Sequence, residues 1–215
     1  MLLIEEKEEN NQIHGLFPTP VLRTSLRRAF TEDEEKFFRE GANQVIHNTG
    51  NHYTQNTDVL NDPIFYEIHR FILRKLGDYV YNVYKPKSKI KVYTTQSWIN
   101  YTNVNEFHHQ HSHPNSFLSG VLYLQTESER DQIIFHRDGY RLIRINESSN
   151  DDLNADSWFF KVETGDLLIF PSYLQHNVNH IKDENEKGKT RISLAFNTFI
   201  KGDLGSEEGL TKLTI

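Results

Sequence analysis

No cysteine occurs in the 215 residues, which excludes disulfides, cysteine-ligated zinc and thiol nucleophiles. Nor does any apolar run approach the ~20 residues that span a bilayer. The opening Met1-Leu2-Leu3-Ile4 gives way at once to acids, the wrong order for a secretory signal. Long basic runs are missing too, and the formal net charge is −6, which argues against a dedicated nucleic-acid groove. A cytoplasmic protein without a membrane partner is the expectation. Hydrophobic residues make up 36% and charged residues 25%, the balance of a soluble chain with one core. What the chain does have in excess is histidine: 11 in all, four of them within the six residues 108–113.

The pattern along the chain predicts a single domain, 1–215, in three parts. Residues 1–85 should form an extended segment and helices packed on the core, after a frayed first dozen. Gly15–Leu22 reads as extended, because each of Pro18 and Pro20 pushes its predecessor toward β or polyproline geometry. Thr31 with Glu34 forms a capping-box signature, and Phe37, Phe38, Ala42 and Val45 give a helical face that should run to about Asn48. A second helix should start at Asp62-Pro63, a cap followed by proline at the first helical position, and run toward Tyr84. Residues 86–201 read as short strands with turn punctuation: Lys89–Tyr101, Phe117–Gln125, Gln132–Phe135, Tyr140–Ile145, Ser157–Glu163, Leu167–Phe170 and Arg191–Phe199. Asn146–Asp156 and Lys182–Lys189 read as polar loops, and 202–215 as a C-terminal tail. Helices precede a mainly β core.

Three segments carry the chemistry. In an extended chain, side chains at i and i+2 share a face, so His109, His111 and His113 point one way and His108 the other. Two neighbours of that set can reach one metal ion, and imidazole suits iron, zinc, copper and nickel. Further on, Gly165-Asp166 makes a turn, Leu167–Phe170 a buried strand, and His176 follows Pro171 just past the strand end, 65 residues after His111. Two ligands from one segment and a third from another is the arrangement of a facial triad, with positions left open on the metal. In Arg191-Ile192-Ser193-Leu194-Ala195-Phe196, the odd-numbered residues share one face. Arg191 on an inward face offers a planar fork for a carboxylate, and Ser193 adds a hydroxyl to the same anion.

Together, His111-Ser112-His113-Pro114 with Ser119–Leu124, Gly165–Ser172 with His176, and Arg191–Asn197 resemble a family of 2-oxoglutarate/iron(II) oxygenases from bacteria and tailed phages. Leu16–Pro20 and Trp98-Ile99-Asn100 extend the likeness over nearly the whole chain. The resemblance implies a double-stranded β-helix (jelly-roll, cupin-like) core with N-terminal helices. It also implies oxidative decarboxylation of 2-oxoglutarate coupled to hydroxylation of a substrate by O2. His111, His113 and His176 would hold Fe(II), while Arg191 and Ser193, with Tyr123 on the strand after the histidines, would bind the distal carboxylate of the co-substrate. Trp98, Asn100 and Tyr101 would lie near the pocket, and the loop Asn146–Asp156 would cover it.

One departure from the wider superfamily stands out. The usual triad places an acid two residues after the first histidine, where this chain has His113. A three-histidine set leaves iron(II) its full +2 charge, which the dianionic co-substrate can neutralise. His109 paired with His111, or an acid such as Glu106 or Asp131, would be other ways to complete the sphere. A three-histidine cupin-type enzyme without 2-oxoglutarate is one rival reading, and Arg191-x-Ser193 speaks against it. A non-catalytic jelly-roll module with a closed four-ligand site, His109 being the fourth, is another. Small molecules and protein side chains both fit as substrates, and the oligomeric state, homodimer included, is left open.

Overall fold

The computed structural model describes residues 11–127, 130–139, 143, 145–180 and 189–215. The expected fraying of residues 1–10, most of the expected strand Tyr140–Ile145 and most of the charged loop Lys182–Lys189 lie outside the described residues. In chain order the elements are β1 (Leu22–Ser25), α1 (Glu32–Glu40), β2 (Val45–His47), β3 (His52–Thr54), α2 (Tyr66–Val83) and β4 (Lys91–Thr102). Then come β5 (His108–His111), β6 (Leu118–Gln125), β7 (Gln132–His136), β8 (Ser157–Lys161) and β9 (Asp166–Pro171). The last are β10 (His176–Val178), β11 (Arg191–Lys201) and a small hairpin, β12 (Asp203–Leu204) with β13 (Leu213–Thr214).

Helix α1 begins where the capping box sets it. The Thr31 hydroxyl accepts from the Glu34 amide at 3.2 Å, and the Glu34 carboxylate accepts from the Thr31 amide at 2.8 Å. It ends earlier than its apolar spacing suggests, at Glu40. The Tyr101 hydroxyl donates to the Phe38 carbonyl at 2.7 Å, capturing an orphan carbonyl of the last turn. A Cβ at Gly41 would stand 2.6 Å from that same hydroxyl oxygen. Val45 and Ile46, β-branched and outside the helix, pair instead with Thr54 and Tyr53 as the β2–β3 hairpin. In the second helical segment the Asp62 side chain accepts from the Ile64 amide at 3.0 Å and Pro63 opens a 3-10 turn that leads into α2.

Two antiparallel sheets face each other, which is the jelly-roll architecture. The larger has the order β1-β9-β6-β11-β4-β3-β2 and the smaller β5-β10-β7-β8. Strict alternation divides the larger sheet into two faces. Ile99, Leu122, Leu167, Ile169, Leu194 and Phe196 meet Ile68, Ile72 and Leu76 of α2 in one apolar cluster. Val121, Tyr123, Leu168 and Phe170 turn the other way and meet Ile133 and Phe135 of the smaller sheet. Gly120 makes room for Phe196 directly opposite it on the neighbouring strand: a Cβ there would lie 2.2 Å from the Phe196 ring. Arg191 and Ser193 belong to the inner face, between the sheets.

Candidate metal and carboxylate site

The pocket between the sheets is lined by His111, His113 and His176 together with Arg191, Ser193 and Tyr123. Strand pairing does the assembly. His176 opens β10 directly opposite His111 of β5, and Phe135 of β7 stands on the other side of it. His113, just past β5, is anchored by its amide, which donates to the Ser172 carbonyl at 2.9 Å. The ligand nitrogens of the three rings lie within 4.8 Å of one another, and they form the one such group among the described residues.

The hydrogen bonds fix which nitrogens point inward. His111 Nδ1 lies 2.7 Å from the His109 carbonyl and His176 Nδ1 3.0 Å from the Leu174 carbonyl. A carbonyl only accepts, so both Nδ1 atoms carry protons and both Nε2 atoms present lone pairs. His176 Nε2 faces His113 Nε2 at 3.4 Å, two basic nitrogens converging on one point. Burial, and the neighbouring His111, push His176 down to about 3 and His113 to about 4; His111 is lowered by burial as well. All three rings are therefore neutral at pH 7, as metal ligands must be.

Two positions differ from what the sequence leads one to expect. His108 does not face away: its ring stacks on His111 at 4.4 Å and lines the same pocket. The cause is a register shift, since His176 pairs with His111 and Val178 with His108. Three steps on β5 match two on β10, and such a bulge breaks the period of two. His108, pushed down to about 2 by burial and the adjoining His111, is the pocket residue that sequence parity misses. Tyr101, expected near the pocket, points to the helix side, while its neighbours Trp98 and Asn100 line the pocket and join through Trp98 Nε1 to Asn100 Oδ1 at 3.2 Å. No described residue of the loop 146–156 lines the pocket; that loop is held by Arg137, whose guanidinium donates to the Ala155 carbonyl at 2.7 Å.

The candidate acids are engaged elsewhere. Asp131 accepts from the Glu127 amide and from Arg130, and Glu106 accepts from the Asn103 amide at 2.7 Å and lies 3.3 Å from His52 Nδ1. His109 leaves the pocket lining to His108.

At the other end of the pocket, Arg191 is 3% exposed. Its Nη2 donates to Thr102 Oγ1 at 3.2 Å, but Nε and Nη1 are buried without a partner. Burial lowers its pKa, opposed by Tyr123 and Asp131. A guanidinium with two vacant donors in a buried wall is costly unless an acceptor completes it. Ser193 and Tyr123 pair directly across β11 and β6 and stand on the same face; the Tyr123 phenol is raised by burial. Unpartnered guanidinium donors of this kind are satisfied by a carboxylate, through charge-assisted hydrogen bonds.

In the metal-free protein these neutral rings carry a pH signature. His108, His113 and His176 titrate below the ~6.5 of an unfolded histidine, so the unfolded chain takes up protons first as pH falls. Stability is present above about pH 6.5 and is lost toward the folded values, by at most about 1.4 kcal/mol per pH unit for each ring. The urea midpoint of the metal-free protein should fall from pH 6.5 to 5, and less steeply in His108→Gln. An equal slope in the two proteins would mean that His108 is charged in the folded state.

Residues 96–197 match the family model described as "Putative 2OG-Fe(II) oxygenase", a span containing every residue of the pocket discussed above. Over that span the chain is similar to the 2OG-Fe(II) oxygenases. Solved structures agree in fold. HygX from Streptomyces hygroscopicus, solved with nickel, 2-oxoglutarate and hygromycin B bound, is 13% identical with a TM-score of 0.55, covering 84% of this chain and 83% of that one. An oxidoreductase of the 2OG-Fe(II) oxygenase family from Burkholderia pseudomallei is 12% identical with a TM-score of 0.52, covering 83% of each chain. A Pseudomonas putida prolyl-4-hydroxylase is 13% identical with a TM-score of 0.51, covering 83% of this chain and 92% of that one. No curated relative matches in sequence.

Proposed function

We propose that this chain is a 2-oxoglutarate- and iron(II)-dependent dioxygenase that hydroxylates its substrate, with His111, His113 and His176 as the iron ligands. Arg191, Ser193 and Tyr123 bind the distal carboxylate of 2-oxoglutarate. The observation that carries this reading is the pair of unpartnered guanidinium nitrogens on Arg191, buried in the same pocket as the three convergent histidines. A three-histidine enzyme with no dicarboxylate to bind has no use for that buried cation. Iron(II) with 2-oxoglutarate supplies the oxidation of a C–H bond by O2, coupled to decarboxylation of the co-substrate to succinate.

The chain's own residues do the rest. The Nδ1–carbonyl bonds orient His111 and His176, and the Phe135 and Phe170 rings, 6.0 and 4.8 Å from His176, keep water from its outer side. Three neutral ligands leave the metal's +2 charge to be balanced by the dianion, so metal and co-substrate should bind with positive coupling. Anaerobic addition of 2-oxoglutarate to the iron(II)-loaded protein should produce a weak visible charge-transfer band, and admitting O2 should convert the co-substrate to succinate. Iron binding with neither band nor succinate would favour the cupin-type reading.

A further inference from the structure

Strands β4 and β11 continue past the barrel as a two-stranded ribbon, from the Asn197–Gln96 pair to the Lys201–Lys91 pair. Strand β6 stops pairing at Asn197, so the ribbon leaves the barrel at the metal end. Trp98, opposite Ala195, marks that end, 5.9 Å from the His113 ring. The far end, at Arg191, is taken by the co-substrate in the proposed function, on which this inference rests. A substrate therefore approaches the metal from the ribbon side.

The ribbon's two faces can be told apart. Val92 and Ile90 pack on the helix-side cluster, and Thr198 is buried with its hydroxyl bonded to the Leu118 carbonyl. The other face continues the pocket wall of Arg191, Ser193 and Ala195. It carries Phe199 opposite Tyr93, then Lys201 opposite Lys91. Phe199 is 38% exposed, both lysines are exposed, and Lys201 Nζ lies 5.2 Å over the Tyr93 ring. Lys85, Lys87 and Lys89 follow on the adjoining exposed segment, and none of these five lysines has an ion-pair partner among the described residues. At ~3.3 Å per residue, Phe199 lies ~13 Å and Lys201 ~20 Å beyond Ala195.

We propose that this ribbon face is the substrate-docking surface, and that the substrate is a nucleotide chain whose base stacks on Tyr93 and Phe199 while its phosphates meet Lys91 and Lys201. Flat rings flanked by cations spaced along a strand are the elements that hold single-stranded nucleic acid. The net charge of −6 does not bear on a local field, because exposed charges more than ~8–10 Å away are screened at physiological salt. A mononucleotide would use the same stacking and phosphate chemistry over one step.

The test is fluorescence anisotropy of labelled pentathymidylate with the full-length, nickel-loaded protein, and thymidine monophosphate as a competitor. Saturable binding is expected, weakened roughly tenfold in Phe199→Ala and at least tenfold in the Lys91→Glu/Lys201→Glu pair. The neutral pair Lys91→Gln/Lys201→Gln should flatten the log–log salt dependence by about 1.4, two phosphate contacts' worth. Competition by the monophosphate at equal affinity identifies a mononucleotide as the source; much weaker competition identifies a strand. All the substituted side chains are exposed, and 2-oxoglutarate affinity should be unchanged in every variant. Absent binding, binding indifferent to these substitutions, or tighter binding of a glutamate-rich peptide would overturn the proposal. Lost 2-oxoglutarate binding in the parent protein with intact pentathymidylate binding would instead overturn the dioxygenase reading.

Discussion

Arg191→Ala should keep its iron and lose 2-oxoglutarate. Truncating one partner of a buried, hydrogen-bonded charge pair costs about 2–5 kcal/mol, so affinity for the co-substrate should fall ~30-fold or more. Arg191→Lys should recover part of the loss, because an ammonium restores the charge without the planar fork. Calorimetric titration of 2-oxoglutarate into iron-loaded protein, with oxygen excluded, measures both. The two variants also separate charge from geometry. The parent guanidinium already uses Nη2 on Thr102, which leaves Nε and Nη1 for the ligand. Unchanged affinity in Arg191→Ala would remove the reason to prefer a 2-oxoglutarate enzyme to a three-histidine cupin.

The second large effect concerns the metal. His111→Ala and His176→Ala are each expected to abolish stoichiometric iron(II) binding, and His113→Ala to do the same or nearly so. The fold should survive, since a polar ring at a strand end contributes little packing compared with Leu168 or Phe170. His109→Ala and His108→Ala should both retain the metal, although His108 touches His111. Metal content after anaerobic reconstitution and desalting decides the matter. Iron retained by His176→Ala would sink the assignment, and iron lost from His109→Ala in place of His113→Ala would move the triad one step earlier along the chain.

Much of this was legible in the residues because the fold obeys short-range rules. The capping box at Thr31 and Glu34, the Asp62-Pro63 start and the alternation of Arg191, Ser193 and Ala195 are local patterns with local causes. The misreadings have non-local causes. Val45 carries a helical spacing, yet a sheet edge on β4 was free to take its segment through β3. His108 was placed by a period of two that a bulge against β10 interrupts. Thr102 could be named as the Arg191 partner only once the register of β4 with β11 was known. That the outer ribbon face bears Tyr93, Phe199 and two lysines depends on an extra residue at Thr95, which shifts parity and leaves no mark in composition.

His111 and His176 are each held by a carbonyl two residues upstream, that of His109 for His111 and that of Leu174 for His176. The tautomer is thus dictated by main chain, and main-chain oxygens are not encoded by any codon. Substitutions at 109 or 174 can change packing, but they cannot withdraw the acceptor, so the aim of these rings is shielded from point mutation.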